Sequence, residues 1–204
     1  MLIGGSTLLL PAFALSQVAD INDAINKAGR QRMLSQRAAK AYFAVGQKVQ
    51  RDNANKILTA SMALFDRQLI ELKAFAPTPE IKTTYSSLEA AWNEYKAGLM
   101  GNAPSKSGAE TVIALSDKVL SQANQGTVQL EEFSGRRFGK LVNISGRQRM
   151  LSQRMASRYL CASWGVQAVS AQAEMTKASD EFVSVSMFNG IIHRLLHNTV
   201  NVNV

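Results

Sequence analysis

The segment Gly29–Arg37 reads GRQRMLSQR, and the same nine residues recur without a change at Gly146–Arg154, 117 positions later. At the same offset Asn26 matches Asn143, whereas many of the surrounding positions differ. Nine consecutive identities between segments with divergent flanks indicate an internal duplication, which is the first organising feature to look for in a chain. The chain is therefore built around two copies of one motif.

Residue patterns around both copies predict helices almost throughout. Hydrophobic residues make up 46% and charged residues 19% of the chain, which excludes wholesale disorder. Turn and capping signals stand at 51–53, at Thr78-Pro79, in 98–108, in the capping box Ser107–Glu110 and at Gly139. They divide the chain into expected helices at 17–50, 55–76, 79–99, 107–133, 141–166 and 170–183. We predict an all-α fold, an antiparallel helical bundle of an internally duplicated unit whose second repeat is incomplete.

Four segments follow from this organisation: 1–16, a first repeat at 17–134, an incomplete second repeat at 135–186, and a divergent tail at 187–204 with poor helical periodicity. The tail also fits truncation or a change of reading frame. Residues 1–16 are apolar, uncharged and too short to span a bilayer, and Ala12–Ala14 is an A-x-A cleavage pattern. They predict the end of a signal peptide, truncated at its start, and hence a periplasmic protein. An uncleaved membrane anchor or a buried helix is the alternative.

Few residues are available for catalysis or metal binding. The single cysteine, Cys161, excludes an intrachain disulfide and a multi-cysteine zinc site. His193 and His197 have the i, i+4 spacing that zinc uses, but no third ligand lies near them in sequence. No Ser/His/Asp, Cys/His or paired-carboxylate set is apparent. We therefore expect no enzyme activity, no metal and no cofactor.

Positive charge is concentrated around the two motif copies. The net charge is +8 at pH 7, and residues 24–51 and 133–173 each contain seven basic residues and no acidic one. Those two windows hold 14 of the 23 lysines and arginines. Aromatic stacking residues are not interleaved with these charges, so nucleic acid is not the expected partner. A small oxyanion suits such a site, because the guanidinium fork matches planar oxygen pairs.

One arginine of each copy falls on the apolar seam of its predicted helix. Arg32 and Arg149 each have small residues one turn before and after, and Ser35 and Ser152 follow them. A charge on such a seam is costly unless it is paired. The partner is either a bound anion or a carboxylate from another helix, with these candidates: Asp66, Glu71, Asp117 and Glu131. The two serines either donate to a ligand or bond back to their own helix.

The segment Asn26–Arg37 resembles the P-box of bacterial nitrate and nitrite sensors and the N-terminal domain of type IV pili methyl-accepting chemotaxis transducers, the PilJ or NarX-like sensor domain. The second copy resembles it equally. The resemblance implies a periplasmic four-helix bundle in which nitrate is held by the arginine three residues after the glycine, here Arg32 and Arg149. It also implies that two such arginines meet across a dimer axis, so this chain forms the pair either internally or in a homodimer. The anion-binding set we predict is Arg32, Arg149, Gly29, Gly146, Ser35 and Ser152.

Two functional hypotheses result. The first is a non-enzymatic periplasmic sensor or binding module for a small oxyanion, nitrate or nitrite, which signals through a membrane partner. The alternative is a structural helical protein whose basic helices contact an acidic partner or an anionic membrane. A seam position for Arg32 and Arg149 favours the first, and a surface position for all the arginines favours the second.

Overall fold

The computed structural model describes residues 17–135 and 137–200, and at 137, 138 and 188–200 it describes the backbone alone. Within these ranges the chain forms six helices and no strand, which confirms the all-α prediction. The helices are α1 (Ile21–Gly46), α2 (Arg51–Phe75), α3 (Pro79–Met100), α4 (Lys106–Ser134), α5 (Arg137–Ser163) and α6 (Ala168–Val200).

Short polar side chains begin three of the helices. The Asp20 carboxylate accepts the backbone N–H of Asp23 at 2.8 Å and caps α1. Thr78 caps α3 with a proline at the first helical position, as predicted. Ser105, rather than the predicted Ser107, caps α4 by accepting the N–H of Gly108 at 3.1 Å. In each case a side-chain oxygen satisfies a donor that the helix leaves unpaired.

Several predicted boundaries are wrong. The turn between α1 and α2 lies at 47–50, not at 51–53, because Lys48 and Gln50 adopt left-handed backbone conformations. Since neither residue is a glycine, the sequence does not indicate this turn. Gly139 lies inside α5 and does not interrupt it. The last helix continues to Val200, well beyond the predicted end at 183, so most of the tail is helical. The predicted signal peptide, 1–16, lies outside the described residues, and the predicted segment limits remain predictions.

The first four helices form an antiparallel bundle. Helix α1 contacts α2 and α4, and α3 contacts α4 and, less extensively, α2. Its core is apolar and aromatic: Phe65 stacks on Trp92 with ring centroids 3.9 Å apart. The Tyr95 hydroxyl donates to the carbonyl of Ser35 at 2.9 Å, which fixes the motif helix to α3. The first motif copy is thus enclosed by neighbouring helices.

The hairpin α5–α6 repeats the hairpin α1–α2 and packs against α1. Helices α1 and α5 run parallel and in register. Gly29 faces Gly146 at one point, and at the far end Gln47 accepts from the Ser163 hydroxyl at 3.0 Å. Each residue of α1 therefore lies near the residue about 117 positions later, and a pseudo-twofold axis parallel to the helices relates the two motif copies.

Candidate anion-binding site

The motif glycines mark the closest approach of α1 and α5. A Cβ atom added to Gly146 would lie 3.3 Å from the Gly29 Cα atom and 3.2 Å from Nη2 of Arg32. A Cβ atom at Gly29 would meet Gly146 Cα at 3.5 Å. Both glycines therefore allow the backbones to come together and leave room for a guanidinium beside them.

Arg32 extends into this crossing and is 1% exposed. Its Nη1 donates to Oδ1 of Asn124 on α4 at 2.9 Å. Its Nη2 donates to Oδ1 of Asn143 at 2.6 Å and to the Asn143 carbonyl at 3.1 Å. These acceptors are all neutral, and the Nε–H group has no acceptor among the described residues. Arg32 is a buried cation whose direct partners carry no counter-charge.

The environment of Arg32 disfavours its charge. Burial, reinforced by repulsion from Arg147 and Arg149 and partly offset by Glu131, lowers the pKa of Arg32 from its ordinary value to about 10. At neutral pH the group is still a cation, because that pKa remains well above 7. Glu131 acts at one remove, since its carboxylate accepts from the side-chain amide of Asn143. The site therefore has a positive charge that is incompletely compensated.

Arg149 occupies the equivalent place on α5 but is more exposed. Its Nη2 donates to Oδ1 of Asn26 at 2.9 Å, just as Arg32 donates to Asn143. Burial, followed by repulsion from Arg30, lowers the pKa of Arg149. The Nη2 atoms of Arg32 and Arg149 lie 3.2 and 3.8 Å from the same point, the Cβ position of Gly146, so they are at most about 7 Å apart. The duplication thus brings both predicted arginines to one crossing.

The predicted carboxylate partners are engaged elsewhere. Among the described residues, the Asp66 carboxylate pairs with Lys96, Glu71 with Lys27, and Asp117 with Arg154 and Arg158. Neither Arg32 nor Arg149 forms a salt bridge with any of the four candidates there. The alternative of a direct carboxylate partner is therefore wrong for the described part of the chain.

The two motif serines bond to their own helices. The Ser35 hydroxyl donates to the carbonyl of Arg32 at 2.8 Å, and the Ser152 hydroxyl donates to that of Arg149 at 2.9 Å. Each hydroxyl thus uses its single hydrogen on the backbone one turn earlier. Their predicted contact with an anion stays a prediction.

Comparison with known families decides what kind of domain carries this geometry. The family model of the type IV pili methyl-accepting chemotaxis transducer N-terminal domain, PilJ, matches residues 13–126 and 133–185. This chain belongs to the PilJ family. The family comprises non-catalytic sensor domains of chemotaxis transducers, so the duplicated bundle is a sensory module. No curated protein and no solved structure matches the chain significantly.

Three asparagines of this PilJ domain were not recognised as site residues from the sequence. The repeat pairs Asn26 with Asn143, but the pairing gives no indication that each accepts from the arginine of the other copy. Asn124 lies on α4, in the part of the first repeat that has no counterpart in the second, and it is 92 residues from Arg32. No local sequence pattern marks it as a site residue. Only the packing of α4 and α5 against α1 brings these amides together.

The remaining arginines of the second copy bind within the PilJ domain. Arg147 pairs with Glu181, and Arg154 bridges Asp117 and Glu174. Arg158 is buried as well: it is 2% exposed and donates to both carboxylate oxygens of Asp117. These pairs fasten α5 to α4 and α6 rather than present charge to a partner.

Neither a metal site nor a membrane span is apparent in the described ranges. No group of three histidine, cysteine, aspartate or glutamate side chains there could hold a metal ion. His193 and His197 lie on α6, where the structure describes only the backbone. None of the helices of the PilJ domain at 17–135 and 137–200 combines the length and apolar character that crossing a bilayer requires.

Proposed function

We propose that this PilJ domain is a non-enzymatic periplasmic sensor that binds a small planar oxyanion, nitrate or nitrite, between Arg32 and Arg149. The observation that carries the proposal is the convergence of two guanidiniums at the Gly29–Gly146 crossing, where Arg32 is buried without a carboxylate in contact. An anion there would offset the mutual repulsion of the two cations and accept the unpartnered Nε–H of Arg32.

The internal duplication supports a site within one chain. Helices α1 and α5 run parallel around a pseudo-twofold axis, so a single chain supplies both arginines without a second copy. The alternative, a basic interaction protein, finds less support. Arg147, Arg154 and Arg158 are held in intramolecular pairs, and Arg32 is buried, so these four charges are not available to an outside partner.

The test is an anion titration of the purified chain by calorimetry and thermal unfolding, with nitrate, nitrite, sulfate, phosphate and chloride. Nitrate or nitrite should bind and raise the melting temperature of the wild type, and Arg32→Met should abolish both effects. Arg158→Met is the matched control, because it removes an equally buried arginine that lies outside the crossing. That variant should melt lower but still bind. The proposal is wrong if no oxyanion binds the wild type, or if Arg32→Met binds it unchanged.

A further inference from the structure

In the described part of the chain, the pseudo-twofold axis between α1 and α5 has a partner helix on one side only. On that side α4 lies across both motif helices. Asn124 of α4 accepts from Arg32 of α1, and Glu131 accepts from Asn143 of α5. The Ser134 hydroxyl oxygen lies 2.5 Å from the position that a Cβ atom of Gly139 would take. At its other end α4 covers Tyr42, whose hydroxyl approaches Gly108. One antiparallel helix thus fills the groove formed by the two copies.

On the other side of the axis no helix at 17–135 or 137–200 covers the corresponding groove. It has a volume of about 840 Å³, and α1 and the segment before it form one wall while α5 forms the other. Its lining consists of Asp20, Asn22, Asp23, Asn26, Leu141, Val142, Ser145 and Arg149. In the repeat these residues correspond, in the same order, to positions 137, 139, 140, 143, 24, 25, 28 and 32. Of those positions, 32, 139 and 143 meet α4.

Exposure shows that the two sides of the axis differ in how far they are covered. Arg32 and Tyr42 of the first copy are 1% and 2% exposed. Their counterparts Arg149 and Tyr159 are exposed, the tyrosine by 61%. In addition, Oδ1 of Asn22, in the groove, is buried and has no donor among the described residues. A buried oxygen of this kind needs a hydrogen bond.

The charges of the open groove differ from those of the filled one. Asp20 and Asp23 line the open groove, and the corresponding positions of the other copy in the sequence are Arg137 and Lys140. Asp20 also caps α1, and Asp23 also pairs with Lys27 at 2.9 Å. On the filled side the C-terminal turns of α4 carry Glu131 and Glu132, which suit basic neighbours. A helix in the open groove should instead carry basic residues at that end, where they also interact favourably with the helix dipole.

From this symmetry we infer that the open groove binds one amphipathic helix of a partner protein, antiparallel to α5. That helix has a small residue beside Tyr159 and lysine or arginine beside Asp20 and Asp23. It also offers an amide or carboxylate oxygen to Arg149, as Asn124 does to Arg32. The α4 helix of a second copy does not fit, because Glu131 and Glu132 would face two aspartates. The inference does not rest on nitrate binding.

The probe is a labelled synthetic peptide with the sequence of residues 106–134, in its natural form and with Glu131→Lys and Glu132→Lys, measured by fluorescence anisotropy in nitrate-free buffer. The lysine peptide should bind the full chain at least tenfold more tightly than the natural peptide. Arg149→Ala in the full chain should weaken the binding of the lysine peptide at least tenfold. Asp20→Asn keeps a capping side chain and should reduce the preference for lysine. Lys56→Ala, which removes an exposed charge on α2, should bind as the wild type does.

Three results would overturn the inference. The first is no binding of the lysine peptide at millimolar concentration, and the second is equal binding by the wild type and Arg149→Ala. The third is a dimer of the wild-type chain in sedimentation velocity that Arg149→Ala dissociates, because the occupant would then be a second copy. Loss of nitrate binding alone would leave the peptide results unchanged, so the two proposals fail separately.

Discussion

Replacing Asn124 by aspartate tests whether Arg32 lacks a counter-charge. The substitution keeps the shape of the side chain and converts the acceptor of the 2.9 Å bond from Arg32 into a carboxylate. The structure predicts two consequences with opposite signs. The anion-free protein becomes more stable, and its affinity for nitrate falls, because the chain now supplies its own anion.

The magnitude follows from the geometry. Two unit charges about 4 Å apart attract by about 4 kcal/mol at an effective dielectric constant of about 20. Residue 124 is exposed, so solvent screening and the desolvation of the new carboxylate remove much of this gain. We expect a net stabilisation of about 1–2 kcal/mol, and for a domain of this size that raises the melting temperature by roughly 2–8 °C.

The pH dependence gives an independent check of the sign. The positive charge of Arg32 would lower the pKa of the new carboxyl group in the folded protein below its unfolded value of about 3.9. The extra stability is therefore fully present above that pH and disappears as the pH falls through the folded pKa. At neutral pH, nitrate at 100 times its dissociation constant should stabilise the wild type by about 2.7 kcal/mol. The same concentration should stabilise Asn124→Asp much less.

Thermal unfolding at pH 7 and at pH 3, with and without nitrate, measures all of these quantities. Asn93→Asp adds the same charge at an exposed position of α3 and should change stability by less than about 0.5 kcal/mol. A lower melting temperature for Asn124→Asp, or an undiminished response to nitrate, would refute the reasoning, because Arg32 would then be adequately compensated already.

Three further substitutions test other parts of the structure. Gly146→Val should push α5 away from α1, cost about 1–3 kcal/mol in urea unfolding and weaken anion binding, whereas Gly98→Ala, which meets only a flexible leucine, should do neither. Lys27→Met should cost about 3–5 kcal/mol, because it leaves the buried carboxylate of Glu71 without its cation; a cost below 1 kcal/mol would contradict this ion pair. A hydrogen bond from an arginine, opposed by burial, lowers the pKa of Glu174. The ionised Glu174 therefore contributes to folding stability above its unfolded pKa of about 4.3, and this contribution is lost as the pH falls through the lower pKa of the folded state. Glu174→Gln should flatten the acid limb of a stability–pH curve.

The amino-acid sequence alone determined the class of fold, and it singled out the two arginines that the structure brings to one helix crossing. An exact repeat of nine residues can be recognised even where the helix boundaries are predicted inaccurately. Its seam arginines are recognisable because a charge among small and apolar residues is unusual. The N-cap at Thr78 was also predictable, because helix capping depends only on residues that are adjacent in the sequence. The turn at 47–50 was not, because it uses left-handed residues other than glycine.

Only the tertiary structure decided what surrounds those arginines. The parallel packing of α1 on α5 exchanges asparagines between the two copies, and α4 contributes Asn124 from 92 residues away. The same packing buries Arg32 and leaves Arg149 exposed, although their local sequences are identical. Identical segments acquire different environments because burial depends on which helices lie against them, and no pattern within nine residues contains that information.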